Sequence, residues 1–312
     1  MKKIRPYIGK CIVLFIGILA CWLLYDKLRE YSLHEIIRSI TQIRAGQLWA
    51  ALFLVVLNYF ILVGYDWLAV IAIGRRLPLS KVAFVSFTGC AVSYNIGAIL
   101  GGTAVRYRLY SLWGFHPMDI VQLVFMLAVT FWIGAFGLAG AVLLFATVHI
   151  PPELNIDPAV VKPLGGCLFA LTLAYLALCW YARGRAVRLF RREFALPTLR
   201  IALAQTAVAC ADLVVAAACM YVLLPTHSNV SFADFLPSYL LAQVAAVLSH
   251  VPGGVGVLEV VLMHIVHGVE PEKLIGAIVV FRCFYYLIPL VIAAVLLLWN
   301  ELRVRVTGQH QE

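Results

Sequence analysis

The stretch Arg183–Arg200, RGRAVRLFRREFALPTLR, carries six arginines and one glutamate between two long apolar runs, Leu164–Ala182 and Ile201–Leu224. Apolar runs of roughly 20 residues can cross the ~30 Å hydrocarbon core as helices, and short links dense in Lys and Arg stay cytoplasmic. Wherever the rest of the chain runs, this link belongs inside. Composition agrees with a membrane setting. Of 312 residues, 63% are apolar and only 12% are charged, whereas soluble domains carry about 25% charged residues. The mean hydropathy is +0.96. These figures exclude a soluble enzyme, a nucleic-acid-binding protein and a secreted disulfide scaffold. The net charge of +9 then marks orientation rather than a nucleic-acid partner. The eight cysteines lie in apolar stretches with no C-x-x-C pair, as expected of small buried hydrophobes.

Eight apolar stretches lie near Tyr7–Tyr25, Leu48–Ile73, Val82–Val105, Ile120–Val148, Leu164–Ala182, Ile201–Leu224, Phe235–His267 and Leu274–Trp299. The first continues through Trp22–Tyr25 with no small-x-small site, so it reads as an uncleaved span. If all eight crossed, the arginine-rich link would fall outside. The conflict disappears if Val82–Val105, with Gly101 and Gly102, enters and leaves on the cytoplasmic side. Phe235–His267, broken by Pro252, Gly253, Gly254 and Gly256, does the same from outside. The reading is an all-α polytopic membrane protein with about six full crossings and two re-entrant or broken segments. Both termini are then cytoplasmic. The outer link Asp26–Gln47 has Leu33, Ile36, Ile37 and Ile40 at helical spacing, which fits an amphipathic surface helix.

This parity exposes a faint repeat. Asp66 lies in one span and a Gly-Gly break with Arg106 follows; Asp212 lies in a later span and a Gly-Gly break with Glu259 follows. Each half, about 1–150 and 160–303, holds an odd number of crossings, so the halves are inverted within one domain, 1–312, ending in a short cytoplasmic tail, 300–312. Inverted repeats with broken helices often build a transport site at the bilayer midplane.

Ionisable side chains at depth are costly and are functional candidates by default. Here they are Asp66, Arg106, Asp212, Glu259 and Arg282, with Arg108 also near the first break. Arginine can hold a lipid phosphate through a bidentate fork, and the acids can balance charge or receive a cationic headgroup. The alternative is structural: Asp66 pairs with an arginine of a neighbouring span, and Arg282 neutralises Glu259 or Asp212. His264 and His267 form H-x-x-H downstream of His250, but no H-E-x-x-H occurs, so no metal is expected. The clusters Tyr107–Tyr110–Trp113 and Phe284–Tyr285–Tyr286 read as interfacial or core aromatics. No nucleotide-binding loop is present, and no cofactor is expected.

The motifs LGGTAVRYRLYSLWGF, PGGVGVLE and FRCFYYLIP resemble the membrane region of bacterial lysylphosphatidylglycerol synthase/flippase proteins. They are closer still to the stand-alone inner-membrane proteins of that superfamily. The resemblance covers nearly the whole chain, with the motif order intact. It implies a multi-spanning fold whose larger members translocate aminoacylated phosphatidylglycerol and protect against cationic peptides. It maps the family's membrane acid onto Asp66, its post-glycine arginine onto Arg106 and its Pro-Gly-Gly glutamate onto Glu259. Many relatives carry a proline ahead of the first glycine pair, where this chain has Ile99 and Leu100. The chain runs only 13 residues past Trp299, so no aminoacyl-transferase domain and no lipid synthesis are expected. The expectation is therefore a lipid carrier of the bacterial inner membrane that acts on a membrane phospholipid and is not an enzyme. The alternative is a non-transporting scaffold whose basic patch, Arg183–Arg192, docks a lipid-synthesising enzyme.

Overall fold

The computed structural model describes residues 43–145, 158–182, 186–189, 192–226, 228, 230–249 and 251–308. The first apolar stretch and most of the expected surface helix lie outside the described residues. The last residues of that expected helix, Ala45–Gln47, instead open a spanning helix.

In chain order, α1 (Ala45–Ala72) is followed by α2 (Leu79–Ile96), a π-helical turn at Ala98–Gly102, and α3 (Thr103–Leu112). Next come α4 (Pro117–Phe145), α5 (Pro158–Ala182), a two-stranded antiparallel ribbon of β1 (Ala186–Leu189) and β2 (Arg192–Ala195), and α6 (Leu199–Val222). The chain continues through α7 (Phe232–Leu248), a tight turn at Pro252–Gly254, and α8 (Val257–Ile265). It closes with α9 (Pro271–Arg282), a π-helical turn at Cys283–Leu287, and α10 (Ile288–Gly308). Among the described residues, five helical runs are long and apolar enough to cross a membrane: α1, α4, α5, α6 and the continuous stretch from α9 into α10. The protein is thus an all-α polytopic membrane protein, with one departure: the arginine-rich link pairs part of itself as a ribbon.

Both broken segments are helical hairpins. The arms α2 and α3 hold 18 and 10 residues, or about 27 and 15 Å at 1.5 Å per residue. They pack antiparallel through small residues. A Cβ on Gly101 would fall 2.9 Å from Ile96 Cβ, and one on Gly102 would fall 2.7 Å from Ser93 Cβ. The hairpin leaves on the face where it entered. Arg75, just ahead of α2, bonds Asp119 at 2.5 Å, and Lys81 lies 5.1 Å from the Trp113 ring. The second hairpin, α7 and α8, closes likewise. Gly254 abuts Ala246, and a Cβ on Gly268 would lie 3.5 Å from Val230 at the other end. The first hairpin extends to Leu112, seven residues beyond the apolar run, because its return arm carries Arg106 and Arg108.

The hairpins enter from opposite faces. The spans α1 and α6 run antiparallel: Gln47 at the start of α1 donates to the Val222 and Leu224 carbonyls (2.7 and 2.8 Å), capping the end of α6. That face also holds Val230 and Gly268. The other face holds Arg75, Lys81, the Asp119 end of α4 and the start of α6. Arg108 reaches Glu301 of α10 at 3.2 Å on this side. Close glycine contacts make α4 and α5 antiparallel too; a Cβ on Gly140 would meet the Phe169 nitrogen at 2.6 Å. The arginine-rich link between α5 and α6 therefore emerges on the Arg75 face, as the parity argument requires. Exposed Trp49, Phe53, Phe60, Trp180 and Tyr181 give the outside of the bundle an apolar, aromatic surface suited to lipid.

Candidate functional site

The tips of the two hairpins meet. A Cβ on Gly253 would lie 3.4 Å from the Tyr94 carbonyl and 3.7 Å from that of Asn95, at the end of α2. The second tip is unwound by positive φ at Gly253 (67°), Gly254 (58°) and Gly256 (79°), a region that favours glycine because it carries no Cβ. The π-helical turn Cys283–Leu287 packs beside the tips. Pro289 has no N–H, so the Tyr285 carbonyl lacks its i+4 helical donor. Tyr59 donates to it at 3.2 Å, and Asn95 donates to the neighbouring Tyr286 carbonyl at 3.1 Å. At the second tip Gly254 is buried, Gly253 is half-buried, and Val251 and Gly256 are exposed. The unwound backbone is thus partly packed against protein and partly open, and non-helical backbone at membrane depth must be buried or line a wet cavity.

All five candidate side chains, Asp66, Arg106, Asp212, Glu259 and Arg282, are buried, and they fall into three clusters. In the first, Arg106 on the return arm forks onto Asp66 of α1, Nε to Oδ1 at 3.0 Å and Nη2 to Oδ2 at 2.7 Å. Tyr110 also donates to Asp66 at 3.0 Å, and Arg106 reaches the Cys90 Sγ at 3.3 Å. Gly89 makes room for this guanidinium, since a Cβ there would lie 3.0 Å from Nη1. In the second cluster Arg282 of α9 forks onto Glu259 of α8, Nε to Oε1 and Nη2 to Oε2, the latter at 2.9 Å. The same guanidinium donates to the carbonyls of Gly253 (3.0 Å) and Gly254 (3.2 Å) and lies 5.3 Å from the Tyr286 ring.

The third cluster surrounds Asp212 in the middle of α6. Its carboxylate accepts from Asn58 Nδ2 and the Tyr65 hydroxyl, each at 2.8 Å, and Asn58 Nδ2 also contacts the Tyr285 hydroxyl. Asp212 has no cationic partner among the described residues.

The structure thus resolves what the sequence leaves open. Arg282 pairs with Glu259 and not Asp212, and Asp66 pairs with a hairpin arginine rather than one on a neighbouring span. Tyr110, read as an interfacial or core aromatic, is a ligand of Asp66. Glu301, assigned to the tail, is buried under Arg108, and α10 continues through Gly308. Tyr285, read with Phe284 and Tyr286 as an interfacial or core aromatic, contacts Asn58 through its hydroxyl; Asn58 and Tyr65 belong to no motif in the sequence. Their only signal is a polar atom inside an apolar run. The described residues contain no group of three His, Cys, Asp or Glu side chains able to hold a metal, and His264 is exposed against its own helix.

Five candidate spans and two opposed hairpins meeting over buried acid–arginine pairs define a polytopic membrane protein with broken helices at its core. Residues 10–293 match the family described as the lysylphosphatidylglycerol synthase TM region, and the chain belongs to that family. It is 35% identical over 297 residues to the uncharacterized protein slr0712 of Synechocystis, covering 93% of this chain and 89% of that one. It is 30% identical over 289 residues to the inner membrane protein YbhN of Escherichia coli, covering 92% and 90%. A phosphatidylglycerol lysyltransferase of Staphylococcus aureus matches at 24% over 242 residues, which is 74% of this chain but 27% of the relative.

Proposed function

We propose that this protein carries a phospholipid across the cytoplasmic membrane, with both termini cytoplasmic, and that it is not an enzyme. The observation behind this reading is the junction of two oppositely inserted hairpins, each with a buried acid–arginine fork beside it. A guanidinium binds phosphate oxygens in the geometry it uses for a carboxylate. A lipid phosphate can therefore replace Asp66 at Arg106, or Glu259 at Arg282. The displaced carboxylate is then available to a cationic headgroup. A lipid carrying both charges, as an aminoacylated phosphatidylglycerol does, satisfies both partners of an opened pair, whereas an anionic lipid satisfies the arginine alone. The Staphylococcus aureus relative, named for lysyl transfer to phosphatidylglycerol, supports this substrate class.

The test is a scrambling assay in proteoliposomes, reading the accessibility of a fluorescent phospholipid to a membrane-impermeant reductant. The intact protein accelerates exchange, and Arg106→Ala and Glu259→Gln each slow it at least about tenfold, equivalent to 1.4 kcal/mol. Unchanged rates in both variants overturn the site assignment. Neutralising the arginines of the 183–192 link leaves the rate intact under this reading and abolishes function under the scaffold alternative.

A further inference from the structure

Among the described residues the two buried arginines, Arg106 and Arg282, each have an acid of their own, which leaves Asp212 apart. It sits in the middle of α6, only 5% exposed, and both of its hydrogen-bond donors, Asn58 and Tyr65, are neutral. The titratable groups around it come from four neighbouring elements: Tyr59 and Tyr65 on α1, Cys90 and Tyr94 on α2, Tyr239 on α7, and Tyr285 and Tyr286 on the π-helical turn. All are tyrosines or cysteines. Arg106 lies beyond Cys90 and Arg282 beyond Tyr286, each forked onto another carboxylate. A lone carboxylate buried this deeply is held by hydrogen bonds alone, and adding a proton removes its charge without breaking an ion pair.

Asn58 supplies the second observation. Its Oδ1 is buried and has no hydrogen-bond partner among the described residues, while Nδ2 serves both Asp212 and the Tyr285 hydroxyl. An amide has two orientations, and which one holds is set by what its neighbours donate. With Asp212 ionised, Nδ2 must face it. With Asp212 protonated, the carboxyl and the Tyr285 hydroxyl can both donate to Oδ1, and the amide turns over. That choice reaches Tyr285 in the π-helical turn. Its neighbour Tyr286 offers the carbonyl that holds Asn95 of the first tip, and Arg282, just ahead of the turn, holds the second tip.

We propose that Asp212 is a reversible proton-binding site, that Asn58 senses its state by amide reorientation, and that this state sets how the two hairpin tips are held. The proton moves from water to an Asp212 carboxylate oxygen and back, with no other bond made or broken. Its use to drive lipid movement rests on the carrier reading; the site itself does not.

Infrared difference spectroscopy of the purified protein across a pH series tests the site without any lipid transport. A protonated-carboxyl C=O band grows as pH falls. It is lost in Asp212→Asn and kept in Asp66→Asn and Glu259→Gln. Tyr65→Phe keeps the carboxyl with one hydrogen bond fewer, so the band persists and its midpoint moves. A band unaltered in Asp212→Asn overturns the proposal, as does one that appears only when sodium is withdrawn at constant pH. Scrambling then separates the two readings. Rates that depend on pH in the intact protein and are flat in Asp212→Asn support coupling. A titrating Asp212 in a protein that moves no lipid leaves the proton site standing and removes the carrier.

Discussion

The two hairpins share a plan, a long arm, a glycine break and a short arm, yet they hold their arginines in opposite ways. In the α2–α3 hairpin the arginine rides on the return arm and grips an acid on the span α1. In the α7–α8 hairpin the acid rides on the return arm and the arginine comes from the span α9. The swap changes what each guanidinium does. Arg106 bonds side chains, Asp66 and Cys90, and so fixes one helix against another. Arg282 bonds a side chain and also two backbone carbonyls of the break itself, Gly253 and Gly254. The first pair places an arm; the second holds a tip in shape.

That difference can be broken most directly by removing the arginines. Leaving one member of a buried ion pair uncompensated costs about 3–5 kcal/mol, and an orphaned buried carbonyl adds about 1–3 kcal/mol. Arg282→Met is therefore expected to be the more destabilising, because Glu259 and two carbonyls lose their donor together. Arg106→Met is expected near the lower bound, since Tyr110 still donates to Asp66. Unfolding in detergent, followed by temperature, ranks them. The paired replacements sharpen the contrast. Asp66→Leu with Arg106→Met recovers most of the loss, whereas Glu259→Leu with Arg282→Met does not, because the Gly253 and Gly254 carbonyls stay unpaired. Equal recovery in the two hairpins removes the distinction.

The breaks themselves give a smaller effect. Gly254 has φ +58°, and an added Cβ would lie 2.6 Å from Ala246 Cβ. Gly254→Ala therefore combines left-handed strain of about 1–2 kcal/mol with overpacking of about 1–3 kcal/mol. Gly102 lies at φ −63°, and an added Cβ would meet Ser93 Cβ at 2.7 Å, so Gly102→Ala carries only the overpacking. The expected order of melting temperatures is intact protein, then Gly102→Ala, then Gly254→Ala. A reversed order would mean that the first tip is the more rigid.

The hairpins were legible before any contact was known because charge cannot easily be carried through lipid. Six arginines in Arg183–Arg200 force the parity, and the glycine clusters at Gly101 and Gly253 show where a helix can double back. The pairings were not legible in the same way. Asp66 and Arg106 are 40 residues apart and Glu259 and Arg282 are 23 apart, so neither pair follows from helical spacing. The sequence offers Arg282 two acids, Glu259 and Asp212, and only packing chooses. Asn58 and Tyr65 escape notice, and Tyr285 reads only as an aromatic, because a polar atom in an apolar run looks like any core residue until its partner is in place. Glu301 was hidden by where the apolar run ends, since hydropathy stops at Trp299 while the helix does not.

The smallest effect separates the mouths of the hairpins. The first is fastened by charge: Arg75 bonds Asp119 at 2.5 Å with side chains 46% and 22% exposed, and Arg75 also lies 5.7 Å from the Phe115 ring. The second has no such arginine pair among the described residues: Gly268 lies near Val230, from which an added Cβ would be 3.5 Å, and the Tyr221 hydroxyl of α6 donates to the Val230 carbonyl at 3.0 Å. An exposed ion pair contributes about 0–1 kcal/mol and is screened by salt. Arg75→Gln is accordingly expected to leave the melting temperature almost unchanged. The loss falls on the mouth alone, so amide exchange at residues 113–119 quickens while residues 257–268 keep their rate. Raising ionic strength from about 0.01 to 1 M shortens the screening length from about 30 to 3 Å and should reproduce that pattern in the unaltered protein. If salt quickens both mouths equally, the first is held by its aromatic contacts instead, and Lys81 against Trp113 becomes the fastening to remove next.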